Sequence, residues 1–231
     1  MTRPLLNVDG GELEDEPLEL YALADVVHVA CGGHAGDDAS MSRVVQACRS
    51  VGTAVGAHPS YDDREGFGRR ALDVAPEDLA TSIAAQCARL STIATRAAVP
   101  LASVKPHGAL YHAAHANAVT ALALTTGVAH ALGTAIAIVG PAGGALESAA
   151  RDAGMSFQRE AFADRGVRAD GSLIPRGEEG ALVKGPEVAA ARALVLAARG
   201  DVDTVCIHGD TPGAVFIAQA VRRALGPKAR A

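Results

Sequence analysis

Four histidines stand where short apolar runs give way to turns. The clearest stretch is Lys105-Pro106-His107-Gly108-Ala109-Leu110-Tyr111, which follows the run Leu101 to Val104. A lysine, an imidazole and a phenol meet there between a strand and a helix. Cys31-Gly32-Gly33-His34-Ala35-Gly36-Asp37, Gly56-Ala57-His58-Pro59-Ser60 and His208-Gly209-Asp210 end three other runs in the same manner. Further polar residues fall at comparable places. The carboxylates are Asp9, Glu12, Asp37, Glu160, Asp164 and Asp210, with the cations Lys105, Arg165 and Arg176 and the amide Asn7. Burying such a set without use is costly. Its chemistry suits acid/base hydrolysis or a metal site, for which Asp9, His58 and His107 make a plausible open set.

Some members have plainer readings. Asp37 and Asp210 each follow a glycine and precede a helix, so both can cap one. Asp164 and Arg165 can form a structural ion pair, and Tyr111 can simply pack. His112, His115 and His130 lie on helices and read as structural, while His28 lies within a strand and is left unassigned. The turn Gly140 to Gly144 before a helix offers a weak phosphate seat. The chain lacks a P-loop and a Gly-x-Ser-x-Gly elbow, which disfavours a covalent serine hydrolase.

The elements that position these groups follow from periodicity. Strands are expected at 4–8, 25–30, 53–56, 101–104, 135–139, 156–160 and 204–207, each followed by helix or loop. Helices are expected at 41–50, 76–98, 116–132, 186–199 and 212–225. Alternation of this kind gives an α/β fold of parallel strands with helical crossovers. A closed barrel is favoured over an open sheet because polar chemistry follows nearly every strand, and a barrel gathers all strand ends at one mouth. The polar segment 60–75 is long for a connection, and such loops are usually functional. No linker or repeat interrupts the chain, so a single domain over 1–231 is expected.

Composition narrows the partners. The 231 residues are 49% hydrophobic and 20% charged with net charge −5, and basic runs go no further than Arg pairs, so nucleic acid and anionic membranes are not expected partners. The uncharged stretch between Lys105 and Glu147 is broken by glycines and a proline, which argues against a membrane span. Four scattered cysteines without a Cys-x-x-Cys, and no apolar leader, fit reduced thiols in a cytoplasmic protein.

Seven motifs in order resemble the LamB/YcsF family. They are Leu6-Asn7-Val8-Asp9, Ala30 to Asp37, Gly56 to Ser60, Lys105 to Tyr111, Glu160 to Gly166, Ala169-Asp170-Gly171-Ser172-Leu173 and His208 to Gly213. The first loop departs from the family pattern, being shortened between Gly10 and Asp25. The resemblance implies a distorted (β/α)7-type barrel similar to the glycoside hydrolase/deacetylase superfamily. It implies ring opening of 5-oxo-L-proline to L-glutamate with ATP as co-substrate, carried out as an A subunit beside partner subunits B and C. Asp9, His34, Lys105, His107 and Asp164 would then be catalytic. Asn7, Asp37, His58, Tyr111, Glu160, Arg165, Arg176, His208 and Asp210 would contact substrate. Asp9, helped by His34 or His107, would activate water, and Lys105 and Arg165 would stabilise developing negative charge. Two rivals remain: a stand-alone divalent-metal hydrolase or deacetylase, and a non-catalytic lactam-binding subunit. Assembly as a homo-oligomer stays open.

Overall fold

The computed structural model describes residues 3–168, 173–175, 177–183 and 185–228. Arg176 and the Ala169-Asp170-Gly171-Ser172 part of the sixth motif lie outside those residues. Seven parallel strands close into a barrel in chain order. They are β1 (Leu5–Gly10), β2 (Val26–Ala30), β3 (Ala54–His58), β4 (Leu101–Val104), β5 (Ala137–Gly140), β6 (Phe157–Phe162) and β7 (Thr204–His208). β1 pairs with β2 on one side and with β7 on the other, which closes the ring and excludes the open sheet. The helices are α1 (Glu19–Leu23), α2 (Asp38–Ser50), α3 (Pro76–Arg96), α4 (Gly108–Ala116), α5 (Ala118–Leu132), α6 (Ala145–Asp152), α7 (Pro186–Arg199) and α8 (Ala214–Leu225).

Strand alternation sets what faces the barrel interior. Leu6 and Val8 join the apolar core shared with the helices, together with Val27, Val29 and Ile207. Asn7 and Asp9, the alternate residues of β1, turn inward and meet Lys105. The strands run past their apolar cores, so Asp9, His58 and His208 are strand residues rather than loop residues, and Glu160 lies within β6 as expected. Polar side chains inside the mouth find partners across the barrel, so pairing continues through them. Below them His28 bonds Ser103 Oγ at 2.9 Å, and its ring leaves no room for a side chain at Gly56 on the adjacent strand. Asp25 ties the far end by accepting from the Leu6 amide, Arg3 and Arg222.

The helix expected at 116–132 is α5, which begins at Ala118, and a separate helix, α4, precedes it. Asn117 accepts from the amides of Val119 and Thr120, so it stops α4 and caps α5. The suggested phosphate seat at Gly140–Gly144 is taken by the chain itself, because Glu147 accepts the Gly143 amide at 2.7 Å. No helix among the described residues is long and apolar enough to cross a membrane.

The first loop is held by a buried carboxyl. Glu16 accepts from the Gly11 amide at 2.5 Å and from the Tyr21 hydroxyl, directly behind Glu12. Burial raises the Glu16 pKa to about 7, against the opposing hydrogen bonds. A raised pKa favours the protonated native form. The stabilisation is therefore complete below about pH 4.5 and is lost as pH rises through about 7. The full swing is roughly 3 kcal/mol. Urea unfolding at pH 5.5 and pH 8 should show the parent weakening at the higher pH more than Glu16→Gln does. Equal changes in the two proteins would contradict this.

Candidate active site

Lys105 is the centre of the mouth. It follows β4, and its amide bonds Ala57 O across an irregular register with β3. Its side chain is 2% exposed. The ammonium lies 2.5 Å from Asp9 Oδ1 and 3.0 Å from both Glu160 Oε1 and Asn7 Oδ1. Cys206 Sγ is 3.2 Å away. Asn7 closes the ring by donating to Glu160 Oε1 and Thr204 Oγ1. Burial alone would depress the lysine pKa, but Asp9, Cys206 and Glu160 hold it well above normal. The same logic runs in reverse for Asp9, where His58 and Lys105 overcome burial and keep the carboxylate ionised. A lysine so engaged differs from a donor waiting for an oxyanion. It fixes two carboxylates in place.

A second cluster adjoins it. His58 Nε2 lies 3.0 Å from His107 Nδ1 and 3.5 Å from Asp9 Oδ2. Glu12 Oε1 is 3.0 Å from His107 Nδ1, 3.0 Å from His34 Nε2 and 3.6 Å from His58 Nε2. The rings of His34 and His107 stack with centroids 3.7 Å apart and 2° between planes. Burial pulls the His34 pKa down to about 4, against its bond to Glu12. The water-activation reading set Asp9 beside His34 or His107, whereas the imidazole beside it is His58, which the metal reading had grouped with it. Glu12, a mouth carboxylate with no assigned role in the sequence reading, takes the place beside His34 and His107.

The long segment 60–75 roofs this cluster. Phe67 O accepts from His107 Nε2 at 3.0 Å. Gly68 packs so tightly on His34 and His107 that a β-carbon there would stand 2.8 and 2.9 Å from them, at a φ of +66° that favours glycine. Arg69 lies over the Phe67 ring at 4.8 Å and bonds Asp210 at 2.7 Å on the rim.

Across the mouth, Asp164 is fully buried and accepts from the His208 amide at 2.9 Å, His208 Nδ1 at 3.1 Å and Thr211 Oγ1 at 2.7 Å. Despite burial, His208 and Thr211 hold its carboxyl below the usual range. Phe162 stacks on the His208 ring at 5.4 Å. Tyr111 is buried edge-on to Phe162, its hydroxyl facing Glu160. Burial and that carboxylate push its pKa well up. Arg165 bonds the carbonyls of Ala181 and Ile174.

These groups share one pocket of about 500 Å³. Asp9, His58, Lys105, His107, Tyr111, Glu160, Arg165 and His208 all line it, with Arg69 and Phe162. His34 and Asn7 stand behind this lining as partners of Glu12 and Lys105. Two residues fall elsewhere. Asp37 caps α2, exchanging bonds with Ser40 in a capping box, and is spent on that helix. Asp210 is not a cap, since α8 begins after Gly213. It braces Arg69 instead. Sequence reasoning assigned no role to Glu12, Arg69 or Phe162. The length of segment 60–75 was the signal that pointed toward Arg69.

The site is a parallel barrel mouth with a buried charge network and paired acid–imidazole groups, and sequence comparison gives its family. The sequence matches the LamB/YcsF family over residues 11–230, and the chain belongs to that family. It is 42% identical over 238 residues to the 5-oxoprolinase A subunit of Streptomyces coelicolor, covering 95% of this chain and 94% of the relative. It is 43% identical to the corresponding 5-oxoprolinase A subunit of Chloroflexus aggregans, covering 86% and 83%. The lactam utilization protein of Thermus thermophilus superposes with a TM-score of 0.89 at 35% identity, covering 97% and 96%. A family 4 carbohydrate esterase of Streptomyces lividans shares the fold with a TM-score of 0.52 at 12% identity, covering 97% and 88%.

Proposed function

We propose that the chain is the A subunit of an ATP-dependent 5-oxoprolinase and opens 5-oxo-L-proline to L-glutamate beside subunits B and C in the cytoplasm. The observation that supports this most is identity above 40% along nearly the whole chain to relatives bearing that name. The pocket fits the reading in size and in kind. A five-membered lactam is compact, and its ring opening needs a base, fixed charge and donors for developing negative charge.

A lactam carbonyl is a poor electrophile, so ATP is needed to convert its oxygen into a leaving group. Transfer of the terminal phosphoryl group to that oxygen releases ADP. Water then adds to the ring carbon and gives up a proton to the base. The C–N bond breaks with the ring nitrogen leaving as the protonated amine, and a second water hydrolyses the resulting acyl phosphate to glutamate and phosphate. His208 is the base for that water. Asp164 fixes the Nδ1–H tautomer, so Nε2 is the nitrogen that accepts the proton, as in a buried acid–imidazole pair. Asp9, kept ionised by Lys105 and His58, orients the water and is too weak a base to take the proton. Tyr111 lines the pocket with its hydroxyl toward Glu160, and Arg69 and Arg165 at the mouth hold the substrate's carboxylate or the phosphate.

Complementation tests this in cells. A strain lacking its own A subunit but keeping B and C should regain growth on 5-oxoproline as nitrogen source when given this chain. Failure with soluble, folded protein would contradict the assignment.

A further inference from the structure

Two imidazoles in the mouth are fixed in the tautomers that aim lone pairs at one another. His58 Nδ1 lies 2.7 Å from Lys105 O, and His107 Nε2 lies 3.0 Å from Phe67 O. A carbonyl only accepts, so both of those nitrogens carry the hydrogen. In the neutral rings His58 Nε2 and His107 Nδ1 are then bare, and they face each other at 3.0 Å. Glu12 Oε1 points into the same space, 3.0 Å from His107 Nδ1 and 3.6 Å from His58 Nε2. Three acceptors directed at one point repel unless a positive centre stands among them.

We propose that Glu12 Oε1, His58 Nε2 and His107 Nδ1 form an open three-ligand site for a divalent transition metal of the Zn²⁺ class. Their separations of 3.0, 3.0 and 3.6 Å bracket the donor spacing of about 3.3–3.4 Å expected for a tetrahedral ion with bonds near 2.0–2.1 Å. Two histidines and one glutamate are a familiar open zinc set. The two carbonyls supply the outer bonds that such ligands need to hold their tautomers. His34 is not a ligand in this arrangement. Its ring is stacked parallel to His107, so the in-plane lone pairs of the two cannot converge on one ion. It donates Nε2–H to Glu12 instead, as an outer-sphere group. The ligand set thus differs from Asp9, His58 and His107 in its carboxylate, because Glu12 Oε1 lies within 3.6 Å of both imidazole nitrogens, whereas Asp9 Oδ2 is 3.5 Å from His58 and Asp9 Oδ1 is bound to Lys105. His58 and His107 line the substrate pocket, so the open coordination position faces it. An ion held there supplies Lewis-acid polarisation.

The inference rests on donor geometry and not on the lactam reading. Metal bound without oxoprolinase activity would overturn that reading and leave this one standing. The full chain is stripped with a chelator and titrated with ZnCl₂, then NiCl₂ and MnCl₂, by calorimetry. One equivalent of Zn²⁺ should bind, with a rise in melting temperature. Glu12→Gln and His107→Gln should weaken binding about 100-fold or more, and His34→Gln about 10- to 100-fold. His130→Ala, on an exposed turn of α5, should bind as the parent does. The imidazole ¹⁵N signals of the unaltered chain give a second readout that needs no variant. His58 Nε2 and His107 Nδ1 should shift on adding metal, while His208 Nδ1 should not. Absence of stoichiometric binding, equal binding by the parent and both ligand variants, or an unmoved His58–His107 pair would each overturn the proposal.

Discussion

Lys105→Met should cost about 3–5 kcal/mol of stability and abolish lactam opening. The ammonium is buried and is shared by Asp9, Glu160 and Asn7. Removing it leaves two carboxylates facing each other in a space with little water, one of which must then take a proton. For a chain of this size that loss is a fall of the order of 10 °C in melting temperature. The mechanism of loss is checked by a second change. Adding Glu160→Gln to Lys105→Met removes one of the stranded charges, so the double variant should melt above the single one without recovering activity. Thermal unfolding of the three proteins decides it. A Lys105→Met variant melting within a degree or two of the parent would show that the lysine is not the charge that holds the mouth together.

His208→Gln should leave the fold intact and lower turnover in the assembled enzyme by about 10²–10⁴. The imidazole lies on the pocket wall, held by Asp164 and stacked on Phe162. Asp164→Asn should lose a comparable amount, because an amide can present the wrong partner to Nδ1 and unfix the tautomer. The two losses should not add, since they disable one unit. The readouts are KM and kcat with 5-oxoproline. A role as base predicts a fall in kcat with KM little changed, whereas a role in substrate contact alone predicts the reverse. The second pattern would move proton transfer to another group.

Much of the barrel was legible in sequence because apolar runs of strand length are hard to mistake when turns and helices separate them. All seven strands lie where those runs lie, and Leu101–Val104 matches at both ends. What the runs did not show was how far pairing continues. Asp9, His58 and His208 look like turn residues by type, yet the barrel interior satisfies them and keeps them in the strands. The split between α4 and α5 turns on one side chain, Asn117, inside a stretch whose composition is uniformly helical.

The site was legible as a set and not as a network. Residue types at strand ends marked Asp9, His58, Lys105, His107, Glu160 and His208, all of which line the pocket. Pairings across the barrel depend on register and on loop packing, which no local signal encodes. Hence Asp9 meets His58, and Glu12 reaches His34 and His107 from a first loop anchored by Glu16. Asp37, read both as a cap and as a substrate contact, takes the cap.

Glutamate release from 5-oxoproline by purified components bears on the proposed activity with the fewest intervening steps. Subunits B and C, this chain, ATP and Mg²⁺ are combined, and each is omitted in turn. Glutamate should form in step with ATP consumed, only in the complete mixture, and should be lost with His208→Gln. Glutamate formed at the same rate without this chain, or no glutamate from the complete mixture of folded subunits, would contradict the assignment.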